Sequence, residues 1–146
     1  NGQGVFILSN RDMFSGSFND GVLNGSGSWH GENGDNYSGN FQDGLFHGQG
    51  TFTSSLGSKY TGEFQGGRKN GFGTYIINTS SNGEKYVGEF KNDLYNGYGK
   101  FYMGEEEWEN GMWKDGVPID SKIEKVRKAL TGEAPPEILL EDEKDK

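Results

Sequence analysis

The residues of this 146-residue chain that could carry acid–base or metal chemistry are few and far apart. There are two histidines: His30 has no ligand partner at the spacing of a metal site, and His47 occupies a position of a repeated phrase that asparagine fills elsewhere. The chain contains no cysteine, which excludes disulfides and thiolate metal sites and is compatible with a reducing compartment. Residues 105–109, which include four glutamates, favour a solvated acidic loop over a cation site.

No other catalytic arrangement is visible in the sequence. The spacing of an EF-hand is absent, and the glycines do not form the strand–turn–helix fingerprint of a nucleotide site. No serine, cysteine or carboxylate pair is set beside a base. We therefore predict a protein that is not an enzyme and that has no catalytic, cofactor or metal site.

The glycines belong instead to a repeated phrase. Residues 37–52 read Tyr-Ser-Gly-Asn-Phe-Gln-Asp-Gly-Leu-Phe-His-Gly-Gln-Gly-Thr-Phe, and the phrase recurs at 14–29, 60–75 and 86–101, with half-copies at 1–6 and 111–116. Its first aromatic residues, which we call the anchors, are Phe14, Tyr37, Tyr60 and Tyr86, at intervals of 23, 23 and 26 residues. A fixed short period is the signature of a repeat architecture. The few aliphatic residues favour a thin aromatic core shared between neighbouring repeats.

The phrase resembles the MORN (membrane occupation and recognition nexus) repeat, whose unit is roughly Tyr-x-Gly-x-Trp/Phe-x-x-Gly-x-x-x-Gly-x-Gly. The resemblance covers about residues 1–117. It implies a groove that takes up helices or extended peptides from partner proteins. It also implies two settings, which are cytoskeletal or ciliary assemblies and arrays that precede phosphoinositide kinase or lysine methyltransferase domains.

Each phrase reads as a β-hairpin. Asp43-Gly44 is the signal of a type I′ turn, which needs positive φ at both central positions. A turn there predicts three opposed pairs: Phe41 with Phe46, Gly39 with Gly48, and Tyr37 with Gly50. The last pair lets the Tyr37 ring lie flat over a backbone without a side chain. The same arithmetic pairs Phe14 with Gly27, Tyr60 with Gly73 and Tyr86 with Gly99.

Short connections between the hairpins favour antiparallel neighbours. We therefore predict an all-β fold over residues 1–118, a single-layer twisted antiparallel meander of about ten strands built from four full and two partial repeats. Pro118 falls at the first position of the missing return strand, and because proline cannot donate to the ladder, we expect the sheet to stop there.

The period changes after Pro118. Residues 119–132 carry apolar side chains at helical spacing, and Ser121 with Glu124 forms a capping box, so we predict an amphipathic helix over 121–131. Residues 133–146 form a proline-containing acidic tail. Three roles stay open for the helix: it caps the sheet, it binds another protein, or it is free.

Two surfaces and the helix are the candidates for partner binding. The motif face, which carries the conserved phrase positions of the repeat, would present ring edges along a groove. The opposite face becomes apolar toward its C-terminal end. The candidate residues are Tyr37, Phe41, Tyr60, Phe64, Tyr86 and Phe90 on the motif face; Phe72, Tyr98 and Tyr102 on the opposite face; and Ile123, Val126 and Leu130 on the helix.

Charge restricts the class of partner. The net charge of −8 offers no basic footprint, so we predict no nucleic-acid binding and we disfavour binding to anionic lipid. No run of about 18 apolar residues could form a membrane span. A partner strand, including one from a second copy in a homodimer, could pair with the exposed edge of the first strand.

These observations predict a non-catalytic scaffold or adaptor that binds partner proteins. We expect it in the cytoplasm, in association with the cytoskeleton or an axoneme. The alternative from a different class is the regulatory MORN segment of a larger enzyme, of the phosphoinositide kinase or lysine methyltransferase type. A membrane-lipid binding module is a third alternative, which the charge disfavours.

Overall fold

The computed structural model describes residues 2–77, 83–119 and 130, and within these residues the chain forms one antiparallel sheet of eleven strands in sequence order. The strands are β1 (Gly2–Ile7), β2 (Met13–Asn19), β3 (Val22–His30), β4 (Asn36–Gln42), β5 (Leu45–Thr53), β6 (Lys59–Gln65), β7 (Arg68–Ile77), β8 (Glu84–Lys91), β9 (Leu94–Met103), β10 (Glu106–Lys114) and β11 (Val117–Pro118). The predicted all-β meander is confirmed. The predicted helix over 121–131 lies outside the described residues, apart from Leu130.

Five tight turns close the hairpins, and all five have positive φ at both central residues. Asp43 has a φ of 53° and Gly44 a φ of 81°. The same signature occurs at Asp20-Gly21, Gly66-Gly67, Asn92-Asp93 and Asp115-Gly116. This is the backbone of type I′ turns, whose twist matches that of the flanking strands. The turn positions predicted from the sequence are confirmed.

The register next to each turn differs from the predicted one. Phe41 lies opposite Phe46 as predicted, but Gly39 then pairs with Gly50 and not with Gly48. The reason is a bulge: three residues separate the two pairing positions on β5, and one residue separates them on β4. Gly48 lies in this bulge with a φ of 69°, a left-handed conformation that suits glycine. The other three complete hairpins carry the same shift.

The bulges align ten glycines into one continuous row across β1 to β10. Its members are Gly4, Gly16, Gly27, Gly39, Gly50, Gly62, Gly73, Gly88, Gly99 and Gly111. The row stays in register between Gly73 and Gly88, although 14 residues separate these two glycines along the chain and 11 separate Gly50 from Gly62. We call this set the glycine row.

The anchor tyrosines lie diagonally across the glycine row. Tyr37 pairs with Phe52, yet a Cβ built on Gly50 would overlap the Tyr37 ring. Tyr60 covers Gly73 and Tyr86 covers Gly99 in the same way. The predicted contact of ring and glycine is therefore confirmed in these three repeats, whereas the predicted pairing of the two residues is wrong by two positions. In the first repeat the contact of Phe14 with Gly27 is also wrong, since the atoms nearest to a Cβ on Gly27 belong to Ser15 and Phe41.

The tyrosine hydroxyls hold the rings in this position. The Tyr37 hydroxyl donates to the carbonyl of Asn40 at 2.7 Å, and Asn40 is the single residue opposite the bulge. Tyr60 and Tyr86 make the equivalent bonds, at 2.8 and 2.9 Å, to the carbonyls of Glu63 and Glu89. Each hydroxyl thus supplies a partner to a carbonyl at the point where the ladder is interrupted.

The core is a single layer of rings on the motif face. The buried members are Leu23, Tyr37, Phe41, Tyr60, Phe64, Tyr86, Phe90 and Trp113. The rings of Tyr37 and Phe46 stack with centroids 3.8 Å apart, and those of Tyr86 and Tyr95 stack at 3.9 Å. The ring of Phe64 meets that of Tyr37 edge to face at 5.2 Å. Ring contacts therefore occur both within a hairpin and between neighbouring hairpins, as a repeat protein requires.

Backbone hydrogen bonds also join successive turns. The amide of Gly44 donates to the carbonyl of Leu23 at 2.9 Å, and the amide of Gly67 donates to that of Phe46 at 3.0 Å. The next two turns repeat the pattern through Asp93 to Lys69 and Gly116 to Tyr95. Every turn after the first is thus fixed to the preceding hairpin, in addition to the strand ladder.

A short return strand forms the C-terminal end of the sheet. Val117 and Pro118 form the two-residue strand β11, paired with Lys114 and Trp113. The amide of Ile119 then donates to the carbonyl of Met112 at 2.8 Å. The sheet therefore ends at Pro118, as predicted, and the short return strand brings the predicted count of about ten strands to eleven.

Replacing Gly50 with alanine should lower the free energy of unfolding by about 1–3 kcal/mol, the usual cost of overpacking, because the new Cβ would overlap the Tyr37 ring. Gly4→Ala is the matched control in the same row, since a Cβ there would meet only Phe18, at 3.5 Å. Urea unfolding followed by tryptophan fluorescence measures both variants. A Gly50→Ala curve that superimposes on the parent curve would show that the ring does not rest on this glycine.

Candidate partner-binding groove

The six motif-face residues predicted to contact a partner lie in the core. Tyr37, Phe41, Tyr60, Phe64, Tyr86 and Phe90 are only 0–5% exposed. The expectation that their ring edges stay open to a ligand is therefore wrong, because neighbouring rings cover them. Tyr37, for example, lies under Phe46 and receives the edges of Phe41 and Phe64. These residues support the floor of a groove and do not form its surface.

A second set of rings forms the accessible floor. They are partly buried and pack against the core: Phe14, Phe18, Trp29, Phe46, Phe52, Tyr75, Tyr95 and Phe101. None of them is among the site residues predicted from the sequence. Their signal was present in the phrase, since an anchor ring that lies flat over glycine needs another ring above it. The second position after the turn and the final aromatic position of each phrase provide that cover.

The partly buried rings border an apolar trough near the N-terminal end of the sheet. One cleft, of about 280 Å³, is lined by Phe14, Trp29, Gly44, Leu45, Phe46 and Gly67. A second, of about 200 Å³, is lined by Phe6, Leu8, Phe14, Phe18, Gly21, Val22, Leu23 and Gly44. The two clefts share Phe14 and Gly44, so they lie next to each other along the first three hairpins. Apolar and aromatic linings of this kind bind apolar side chains.

A lysine interrupts the row of apolar residues beside the trough. Lys69 stands where the other complete hairpins have Leu23, Phe46 and Tyr95. Its Nζ lies 5.2 Å from the ring centroid of Tyr75 and 5.6 Å from that of Tyr60. Burial lowers the pKa of the Lys69 amine, and Asp93, whose Oδ1 lies 3.9 Å from Nζ, opposes that shift.

Burial also governs the protonation of the core tyrosines. Desolvation raises the pKa of Tyr37 to about 12, although hydrogen bonding with the backbone of His47 and Asn40 opposes the shift. It raises the pKa values of Tyr60, Tyr86 and Tyr95 as well. These tyrosines therefore stay neutral across the physiological pH range.

On the face opposite the motif face, the apolar residues predicted to bind a partner lie among charged side chains. Phe72 is 56% and Tyr98 is 47% exposed, whereas Tyr102 is partly buried, with Lys85 Nζ 4.7 Å from its ring centroid. Met112 lies opposite Tyr98 and extends this apolar surface. Of the predicted helix residues, Ile123 and Val126 lie outside the described residues, and Leu130 is exposed.

The acidic stretch is part of the sheet. Strand β10 begins at Glu106, so the predicted solvated loop over 105–109 is wrong from that residue onward. Glu107 forms an ion pair with Lys100 at 3.4 Å. Glu109, at the position of an anchor tyrosine, lies opposite Phe101 and is buried. This segment nevertheless forms a strand, in which Gly111 lies opposite Gly99 and continues the glycine row.

The composition of the described residues bears on metal binding and on membrane spanning. They contain no cluster of three or more histidine, cysteine or acidic side chains that could hold a metal ion. They also contain no helix with the length and apolar character needed to cross a lipid bilayer.

Comparison with known proteins matches the repeats one by one. The family model described as MORN repeat matches residues 14–36, 37–58, 60–81 and 86–105. Each match begins at an anchor residue of the phrase. No curated protein matches the sequence.

The tyrosine pKa shifts predict a loss of stability in alkali. The unfolded chain ionises its tyrosines near pH 10, whereas Tyr37 in the folded chain ionises near 12. Between these pH values the unfolded state binds fewer protons than the folded state. The contribution of Tyr37 to the free energy of unfolding is therefore fully present below pH 10 and falls as the pH rises. Absorbance of tyrosinate and circular dichroism, followed together, measure this effect.

We expect some of the seven tyrosines to titrate only as the sheet unfolds. The control is the same titration in concentrated guanidinium chloride, where all seven should ionise in one step near pH 10. Ionisation of all seven near pH 10 with the sheet intact would contradict the burial of the anchors.

Proposed function

The chain belongs to the MORN-repeat family, and on that premise we propose that it is a non-catalytic scaffold that binds a helix or an extended peptide of a partner protein in its apolar trough. The observation that carries the proposal is the pair of adjoining clefts lined by the partly buried rings of Phe14, Trp29 and Phe46. The wider setting we propose, a cytoplasmic cytoskeletal or ciliary assembly, is the one that the family resemblance implies.

The chemistry of the trough suits an apolar side-chain ligand. Phe14, Trp29 and Phe46 each present part of a ring, and aromatic residues are the commonest anchors of protein interfaces. The rings are fixed by stacking and edge contacts, such as the 5.8 Å separation of the Trp29 and Phe46 centroids. A partner therefore meets a preorganised surface and immobilises few side chains on binding.

The shape of the trough favours a peptide over a small molecule. Its two clefts are small and lie side by side across neighbouring hairpins, so that a ligand must be elongated to fill both. An amphipathic helix with apolar residues at i, i+3, i+4 and i+7, or an extended peptide with alternate apolar residues, has this form.

The opposite face supplies the second contact surface that we propose. Phe72, Tyr98 and Met112 are each about half exposed, and they lie on the face that the trough leaves free. A scaffold that joins two proteins needs two such surfaces. The charged residues among these side chains, Lys85 and Glu89 for example, favour a more polar partner there than in the trough.

Matched substitutions on the two faces test the proposal. Leu45 lines the trough and is 51% exposed, and Phe72 is comparably exposed on the opposite face. We expect Leu45→Glu to weaken capture of the trough partner by tenfold or more, because a carboxylate would be desolvated against the rings. Phe72→Glu should leave that partner bound.

The measurement is affinity capture with the intact chain and both variants, with quantitative mass spectrometry of the captured proteins. Circular dichroism and thermal melts establish that both variants fold, which their exposed positions favour. A partner that Leu45→Glu retains at the parent level would show that the trough is not the binding site.

A further inference from the structure

One position in the groove breaks the repeat. The second residue after the turn is apolar in three complete hairpins and is Lys69 in the third. In the second and fourth hairpins this residue is a ring that stacks on its anchor tyrosine at 3.8 and 3.9 Å. Lysine forgoes that stacking and brings a cation into an aromatic layer. A local rule that is broken in this way often marks a functional position.

The ammonium of Lys69 has limited pairing within the fold. It lies over the faces of Tyr60 and Tyr75, which attract a cation but accept few of its hydrogen bonds. Its ion pair with Asp93 is long, at 3.9 Å. The same Asp93 oxygen also accepts a hydrogen bond from the Lys69 amide, at 2.8 Å. An ammonium has three donors, so Lys69 has the capacity to bind another acceptor.

Lys69 is also placed where a trough ligand would reach it. Its side chain is 21% exposed, and it follows Gly67, which lines the larger cleft, by two residues. It pairs with Phe64, whose ring lies 5.7 Å from that of Phe46 at the cleft wall. The apolar trough therefore ends beside a partly exposed cation.

We propose that Lys69 binds a carboxylate of the partner, an aspartate or glutamate side chain placed next to the apolar residues that fill the trough. This inference rests on the proposed function and adds the chemical class of the ligand. A charge-assisted hydrogen bond in an apolar surround is strong and directional. It would set the register of the partner, which apolar contacts alone define poorly.

A selection from displayed helical peptides tests the inference. The library has a fixed amphipathic pattern and random residues at the positions that flank its apolar face. Selection is performed with the parent chain, with Lys69→Met, and with Arg68→Met, which removes a neighbouring exposed cation. We expect aspartate or glutamate at one fixed position with the parent and with Arg68→Met, and no such preference with Lys69→Met.

Selected peptides are then compared with versions that carry glutamine in place of the glutamate. We expect the parent to lose about tenfold or more in affinity and Lys69→Met to lose none, and the difference measures the coupling of the two residues. Equal losses in the parent and in Lys69→Met would overturn the inference, as would peptides selected without an acidic preference. These results leave the trough intact as a binding site. Failure to select any peptide would overturn the proposed function and this inference together.

A thermal melt of Lys69→Met shows whether this substitution acts by destabilising the fold. Methionine is apolar and flexible and fits the layer that Leu23 occupies in the first hairpin. We therefore expect a Tm equal to or above that of the parent. A loss of peptide binding that accompanies a large fall in Tm would count against a direct role for the ammonium. If the loss of binding comes from a destabilised fold, Lys69→Arg, which keeps the charge, should also fail to bind the acidic peptide.

Discussion

The contact between an aromatic ring and a strand backbone without side chains supports the whole sheet. A single-layer sheet has no second layer against which to bury its apolar face, so its own rings must provide the cover. The glycine row makes this cover close, because Tyr37, Tyr60 and Tyr86 lie against the backbone at Gly50, Gly73 and Gly99. A side chain at these glycines would separate the tyrosine rings from the backbone, and the other rings would lose the surface on which they stack.

The bulge and the tyrosine hydroxyl are parts of the same arrangement. The bulge moves the glycine of one strand opposite the glycine of the next, which continues the row, but it interrupts the ladder at Asn40. The hydroxyl of Tyr37 then binds the Asn40 carbonyl. Phenylalanine fills the same space without this bond, which gives a physical reason for tyrosine as the anchor in the second, third and fourth hairpins.

Much of this fold could be predicted from the sequence, and the errors have common causes. The turns were predictable because Asp43-Gly44 and its counterparts demand one backbone geometry. The register was not, because a shift of two residues keeps every side chain on its face, and Gly48 in the bulge looks like any other glycine of the phrase. The groove was misassigned for a related reason. The phrase identifies the rings that pack together, but whether Tyr37 or Phe46 lies on top depends on the ring stack, which composition does not reveal.

The glycine row keeps its register across the longer connection before β8, so two kinds of spacing can be distinguished: along the chain and across the sheet. The pairing of Gly73 with Gly88 is the same as that of Gly50 with Gly62, although the intervening chain is longer. Spacing along the chain is therefore independent of spacing across the sheet. Segments inserted between hairpins leave the pairing of the glycine row across the sheet unchanged. Such connections are therefore suitable points for adding new peptide sequence without disturbing the binding surface.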